Sequence, residues 1–198
     1  VLVEPGVFVP RTRTGILVDE GARLIGPGSV VVDLCCGTGA VGLALHARQP
    51  EIELFASDIE ATAVHCARRN VEPIGGRVLA GDLFDALPAD LRGRVDLLVV
   101  NAPYVPSDAI ATMPPEARDH EPRVALDGGA DGVDVHRRVA AAAGAWLAPG
   151  GHLLIETSRH QAPLTVAALE AAGLSTRTVT SEQLDGTAVV AFADIARG

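Results

Sequence analysis

The chain has 198 residues, is 48% hydrophobic and 21% charged, and carries a formal net charge of −9. That length is enough to bury roughly 70% of the unfolded chain's surface, so a single domain over 1–198 is expected, with no disulfide or metal staple needed. The acidic balance and the six aromatic side chains (four Phe, one Trp, one Tyr) argue against nucleic acid as a partner, because such binders rely on basic clusters and stacking platforms.

The basic pairs Arg11/Arg13, Arg68/Arg69 and Arg137/Arg138 read as solvated faces. Cys35, Cys36 and Cys66 show no C-x-x-C spacing and the histidines no H-E-x-x-H, so no metal is indicated and a reducing compartment fits. No run approaches 18 apolar residues and no signal-peptide layout opens the chain, so a cytoplasmic protein is expected. The chain starts at Val1 and its one methionine is Met113, which predicts residues upstream.

In chain order, the segment Val1 to Thr14 reads as extended, lying over one edge of a sheet and leading into a helix from Gly15 to Leu24. Apolar runs then alternate with Ala-rich helical patterns, the signature of parallel strands covered by helices. Strands are predicted at Val30 to Leu34, Glu53 to Ser57, Arg77 to Ala80, Val95 to Val100, Gly151 to Glu156, Ser175 to Thr180 and Thr187 to Phe192. Helices are predicted at Ala40 to Arg48, Glu60 to Asn70, Val133 to Leu147 and Ala162 to Ala172. The irregular stretch Pro103 to Gly132 is a candidate substrate loop, expected to be more mobile than the sheet.

The run Asp33-Leu34-Cys35-Cys36-Gly37-Thr38-Gly39-Ala40 leaves the first strand and opens a helix, the context of a nucleotide-binding glycine loop. Gly37 and Gly39 would let backbone approach a ligand closely. Asp58, ending the second strand, can accept from both hydroxyls of a ribose. Asp82, after the third strand, can accept from an adenine amino group while Leu83 packs on the ring. Helix capping is the competing reading of these two acids. Asp33 beside the glycine turn would repel a pyrophosphate and favour a cationic ligand, which points away from NAD and toward S-adenosylmethionine.

After the fourth strand comes Asn101-Ala102-Pro103-Tyr104. The Asn101 side-chain oxygen and the Ala102 carbonyl are two acceptors for the two protons of an NH2 group. Pro103 restrains Ala102 to extended geometry, and Tyr104 offers a flat face to a planar group. Read plainly, the four residues are a strand followed by a proline turn with a buried tyrosine.

Taken together, the chain resembles the class I S-adenosylmethionine-dependent methyltransferases, specifically the HemK/PrmC-type protein-(glutamine-N5) methyltransferases. Val7-Phe8-Val9-Pro10-Arg11, Asp33 to Gly39, Asn101 to Tyr104 and the Glu121-Pro122 to Asp131-Gly132 stretch carry the likeness. It implies a Rossmann-like seven-stranded, mostly parallel sheet with helices on both faces and the last strand antiparallel. It also implies S-adenosylmethionine as cofactor, held by Asp33, Cys35, Cys36, Gly37, Thr38, Gly39, Asp58, Asp82, Leu83 and Asn101. Asn101, Ala102, Pro103 and Tyr104 would be catalytic, and the partner a protein presenting a glutamine, such as a peptide chain release factor. The family's N-terminal helical domain is not seen in this chain. Ala102 stands where the family usually has proline and Gly15 where it usually has Glu. The alternatives are a nucleic-acid amine methyltransferase (adenine-N6 or guanine-N2) and a non-catalytic nucleotide-binding scaffold.

Overall fold

A computed structural model describes residues 1–112 and 125–192. Seven strands form one sheet: β1 (Val30–Leu34), β2 (Glu53–Asp58), β3 (Arg77–Ala80), β4 (Val95–Val100), β5 (Leu147–Thr157), β6 (Ser175–Ser181) and β7 (Gly186–Phe192), in the order β3-β2-β1-β4-β5-β7-β6. β7 runs antiparallel to both of its neighbours, β5 and β6, while the pairings from β3 through β5 are parallel. The helices are α1 (Gly15–Gly21), α2 (Ala40–Arg48), α3 (Ala61–Val71), α4 (Asp134–Ala143) and α5 (Ala162–Ala171).

The continuous apolar strand sequences are explained by burial on both faces. Val32, Leu34, Leu98 and Val100 join Val139 and Ala143 of α4 and Leu169 of α5 in one core layer. Val31, Leu97 and Val99 join Leu17 of α1, Leu45 of α2 and Val64, Ala67 and Val71 of α3 in the other. Alternate residues of one strand thus serve opposite layers, as the period of two requires.

The largest departures from the sequence-based boundaries flank the start of β5, while the helix predicted to reach Leu24 ends at Gly21. The helix predicted to reach Leu147 ends at Ala143, where Ala145 N–H bonds to the Ala142 carbonyl and Trp146 N–H to the Ala143 carbonyl, tightening the last turn. This turn places Trp146 against Phe84, with ring centroids 5.6 Å apart, and frees Leu147 to pair with Val95. Consequently β5 begins at Leu147, and its Pro149-Gly150-Gly151 segment sits inside a register shift instead of preceding the strand. A Cβ on Gly151 would lie 2.5 Å from the Val95 carbonyl oxygen, so only glycine fits this close approach.

The order of strands reverses between β1 and β4, whose ends are level because Leu34 pairs with Val100. Connections leaving β1 and β4 diverge to opposite sides there, which opens a crevice beyond the carboxyl ends of the strands. Both sequence motifs begin at this point, at Cys35 and Asn101. Within the candidate substrate loop, the Glu121-Pro122 end of the stretch that carries the family likeness falls outside the described residues. Its described flanks are joined, with Val105 N–H bonded to the Leu126 carbonyl and Gly128 N–H to the Val105 carbonyl.

Candidate active site

A cavity of about 820 Å³ fills the crevice. Cys35, Gly37, Asp58, Asp82, Leu83, Asn101, Ala102, Pro103 and Tyr104 all line it, as do Val7, Phe8, Val9, Arg11 and Arg13 of the opening segment. The predicted residues Asp33, Cys36, Thr38 and Gly39 lie behind this wall. Gly39, in left-handed geometry, is required by packing, since a Cβ there would meet Val71 of α3 at 2.6 Å. A Cβ on Gly37 would meet nothing within 4 Å and would project into open space, so this turn is the cradle a ligand can approach.

The glycine turn is held by carboxylates. Asp33, 1% exposed, accepts the Gly42 N–H at 2.9 Å, and burial pushes its carboxyl up to about 7 despite that bond. Asp58 accepts from Gly37 N–H with one oxygen (2.9 Å) and from Glu60 N–H with the other (3.0 Å). Burial raises its pKa, and the backbone donors oppose that shift. Each carboxylate oxygen has a second lone pair, so Asp58 retains acceptor capacity toward the cavity. Asp82 pairs with Arg138 at 2.7 Å, a partner from α4 that the sequence did not reveal. Cys35 and Leu83 have φ of 55° and 49°; left-handed backbone at two non-glycine residues of one cavity wall is the kind of strain that collects at ligand sites.

At the other end of the cavity, Asn101 Nδ2 donates to Thr14 Oγ1 at 3.3 Å, which leaves Oδ1 as the atom able to accept from a ligand. Thr14 is buried in a short turn, Thr12–Thr14. A Thr14→Val variant keeps the volume and deletes this acceptor. We expect turnover to fall about fivefold, the scale of one neutral hydrogen bond, with the melting temperature little changed. Full activity in that variant would mean that Asn101 needs no external orientation.

Tyr104 is anchored twice. Its hydroxyl donates to Glu156 Oε1 at 3.1 Å, and its carbonyl accepts from Gln161 Nε2 at 2.6 Å. Gln161 Nε2 also reaches the Asp131 carbonyl (3.1 Å), and Ser158 Oγ donates to its Oε1 (2.6 Å). Gly128 packs under Tyr104: a Cβ there would come within 2.5 Å of the Gly132 carbonyl oxygen and 2.7 Å of Tyr104 Cα. Because both obstacles are backbone, Gly128→Ala is expected to cost about 1–3 kcal/mol of unfolding free energy, read from urea denaturation, and to lower turnover as well. An unchanged midpoint would show that the loop yields instead.

Thr14, Glu156 and Gln161 were not singled out from sequence, and Arg11, Arg13 and Arg138, read there as parts of solvated faces, line the cavity instead. Glu156 alone left a signal, an acid closing the apolar run Leu153-Leu154-Ile155. Among the described residues there is no group of three or more His, Cys, Asp or Glu able to hold a metal, and no helix long and apolar enough to cross a membrane.

The strand order, with one antiparallel strand and a ligand-sized cavity at the switch point, defines the class I methyltransferase fold. A glutamine-N5 methyltransferase specific for release factors from Alicyclobacillus acidocaldarius shares it, with a TM-score of 0.57 at 20% identity over 98% of this chain and 99% of that one. Residues 4–115 match the methyltransferase small domain, and the chain belongs to that family. The release factor glutamine methyltransferase of Geobacter sulfurreducens is 37% identical over 163 residues, 81% of this chain and 56% of that protein. A 4-amino-L-phenylalanine/4-methylamino-L-phenylalanine methyltransferase of Streptomyces pristinaespiralis is 38% identical over 176 residues, 85% of this chain and 60% of that protein. The chain therefore spans somewhat more than half the length of these curated relatives.

Proposed function

We propose that the chain is the catalytic domain of an S-adenosylmethionine-dependent methyltransferase that modifies the side-chain amide nitrogen of a glutamine in a protein of the release-factor type. The observation that carries this reading is that one cavity is walled by both the Gly37 turn with Asp58 and the Asn101-Ala102-Pro103-Tyr104 segment. The bound cofactor supplies an electrophilic methyl carbon and a neutral thioether leaving group. Gly37 admits it without steric conflict, Asp58 accepts from its ribose hydroxyls, and Asp82 and Leu83 frame its base, with Asp33, Cys36, Thr38 and Gly39 supporting the turn from behind.

An amide nitrogen is a poor nucleophile because its lone pair is delocalised into the carbonyl. Asn101 Oδ1 and the Ala102 carbonyl accept its two N–H bonds, aim the nitrogen along the line of displacement and stabilise the positive charge that develops there. Tyr104 holds the amide plane and excludes water. The nitrogen becomes acidic once alkylated and releases its proton without a dedicated base.

The same grip suits any planar NH2, including the arylamine in the name of the Streptomyces relative. An assay with labelled cofactor separates the acceptors: release-factor peptides containing a glutamine in a Gly-rich loop, 4-aminophenylalanine, DNA and RNA. We expect label on the glutamine peptide alone. Label on the free amino acid or on nucleic acid, with none on the peptide, would overturn the glutamine assignment. Cofactor binding without transfer to any acceptor would support the scaffold reading.

A further inference from the structure

Glu156 lies on β5 opposite Ala188 of β7, is 2% exposed, and lines no part of the cavity. Its Oε1 nevertheless receives two groups that do line it: the Tyr104 hydroxyl at 3.1 Å and Arg13 Nε at 3.3 Å. The Arg13 guanidinium in turn sits 5.8 Å from the centre of the Tyr104 ring. A buried carboxylate is costly unless paired, and Glu156 keeps Oε2 buried with no partner among the described residues, so its retention here calls for a reason beyond stability.

We propose that Glu156 is a positioning residue that acts through Tyr104, fixing the phenol ring and the overlying Arg13 at the methyl-acceptor end of the cavity. Tyr104 has two degrees of side-chain freedom, and a proline turn alone leaves both open. The Gln161 bond to its carbonyl fixes the backbone, and the Glu156 bond fixes the far end of the ring. Both anchors come from β5 and the turn that follows it, so the ring is referenced to the rigid centre of the sheet and not to the loop that carries it. Burial, followed by the Glu156 carboxylate, pushes the Tyr104 hydroxyl up to about 12, while Arg13 opposes the shift.

The proposal's turnover arm rests on the function proposed above, but its spectroscopic arm does not. Tyr104 is the sole tyrosine of the chain, so tyrosinate absorbance reports on it alone. In Glu156→Gln the ionisation should move down toward the ordinary tyrosine value, while calorimetric affinity for S-adenosylmethionine stays unchanged. With the glutamine peptide as acceptor, turnover should fall about tenfold and the acceptor KM should rise. Tyr104→Phe should show a similar loss, and adding Glu156→Gln to it should cost less than the same change in the wild-type protein, because of the two bonds through which Glu156 acts only the one to Arg13 is left. An unmoved tyrosine titration, or an undiminished effect of Glu156→Gln in the Tyr104→Phe background, would overturn the proposal. If the wild-type protein leaves the peptide unmethylated, the glutamine reading fails, and the titration still decides whether Glu156 governs Tyr104.

Discussion

In the Asn101→Ala protein we expect turnover to drop by at least roughly 100-fold, the scale of losing one preorganised partner to developing charge. Cofactor affinity should change little. The asymmetry follows from position: Asn101 stands at the end of β4, whereas the Gly37 turn and Asp58 hang from β1 and β2. Asn101 arrives already oriented, because Thr14 takes its Nδ2 and leaves Oδ1 for the acceptor. Removing that oxygen leaves the Ala102 carbonyl as a single acceptor, which can bind an NH2 group but no longer fixes the direction of its lone pair. Single-turnover kinetics with saturating cofactor, alongside calorimetry, make the comparison. Normal turnover would remove Asn101 from the chemistry and the glutamine reading with it.

The second large effect is expected on binding. Asp58→Ala should weaken S-adenosylmethionine affinity by about 1.5–3 kcal/mol, the range for hydrogen bonds to a charged group. Some of that loss is indirect. Asp58 also accepts from Gly37 and Glu60 N–H, so its removal leaves two backbone donors without partners and loosens the turn that cradles the ligand. Asp58→Asn, which keeps one acceptor oxygen, should fall between wild type and Asp58→Ala. Equal affinity in all three proteins would sink the ribose assignment.

These predictions divide the cavity into a cofactor end and an acceptor end, and the division reflects how the sheet is built. β1 and β2 deliver the glycine turn and Asp58, while β4 and β5 deliver Asn101 and the anchors of Tyr104. Arg13 and Thr14 are the link from the opening segment. Glu156 and Asn101 are therefore tied to a segment more than 80 residues away in sequence, by contacts of 3.3 Å in each case.

Much of this was readable from sequence because it is local. Burial of β1 and β4 on both faces demands unbroken apolar runs, a glycine turn demands Gly37 and Gly39, and Pro103 restrains Ala102 through its own ring. Such constraints act between neighbours in the chain, so composition and spacing record them. The element boundaries at Ala143 and Leu147 were less legible, since the end of α4 depends on Trp146 reaching Phe84, a contact that propensity does not encode. The roles of individual residues were decided by tertiary structure alone. Gly39 looked like a ligand-facing glycine and is one that admits Val71; Asp82, read as an acceptor for a base amino group or a helix cap, meets Arg138. The orienting roles of Thr14 and Glu156 leave no mark in the sequence, because a residue that orients another across the sheet needs only an oxygen at the right distance. That distance is fixed by how strands far apart in sequence come into register, and periodicity in the sequence does not specify it.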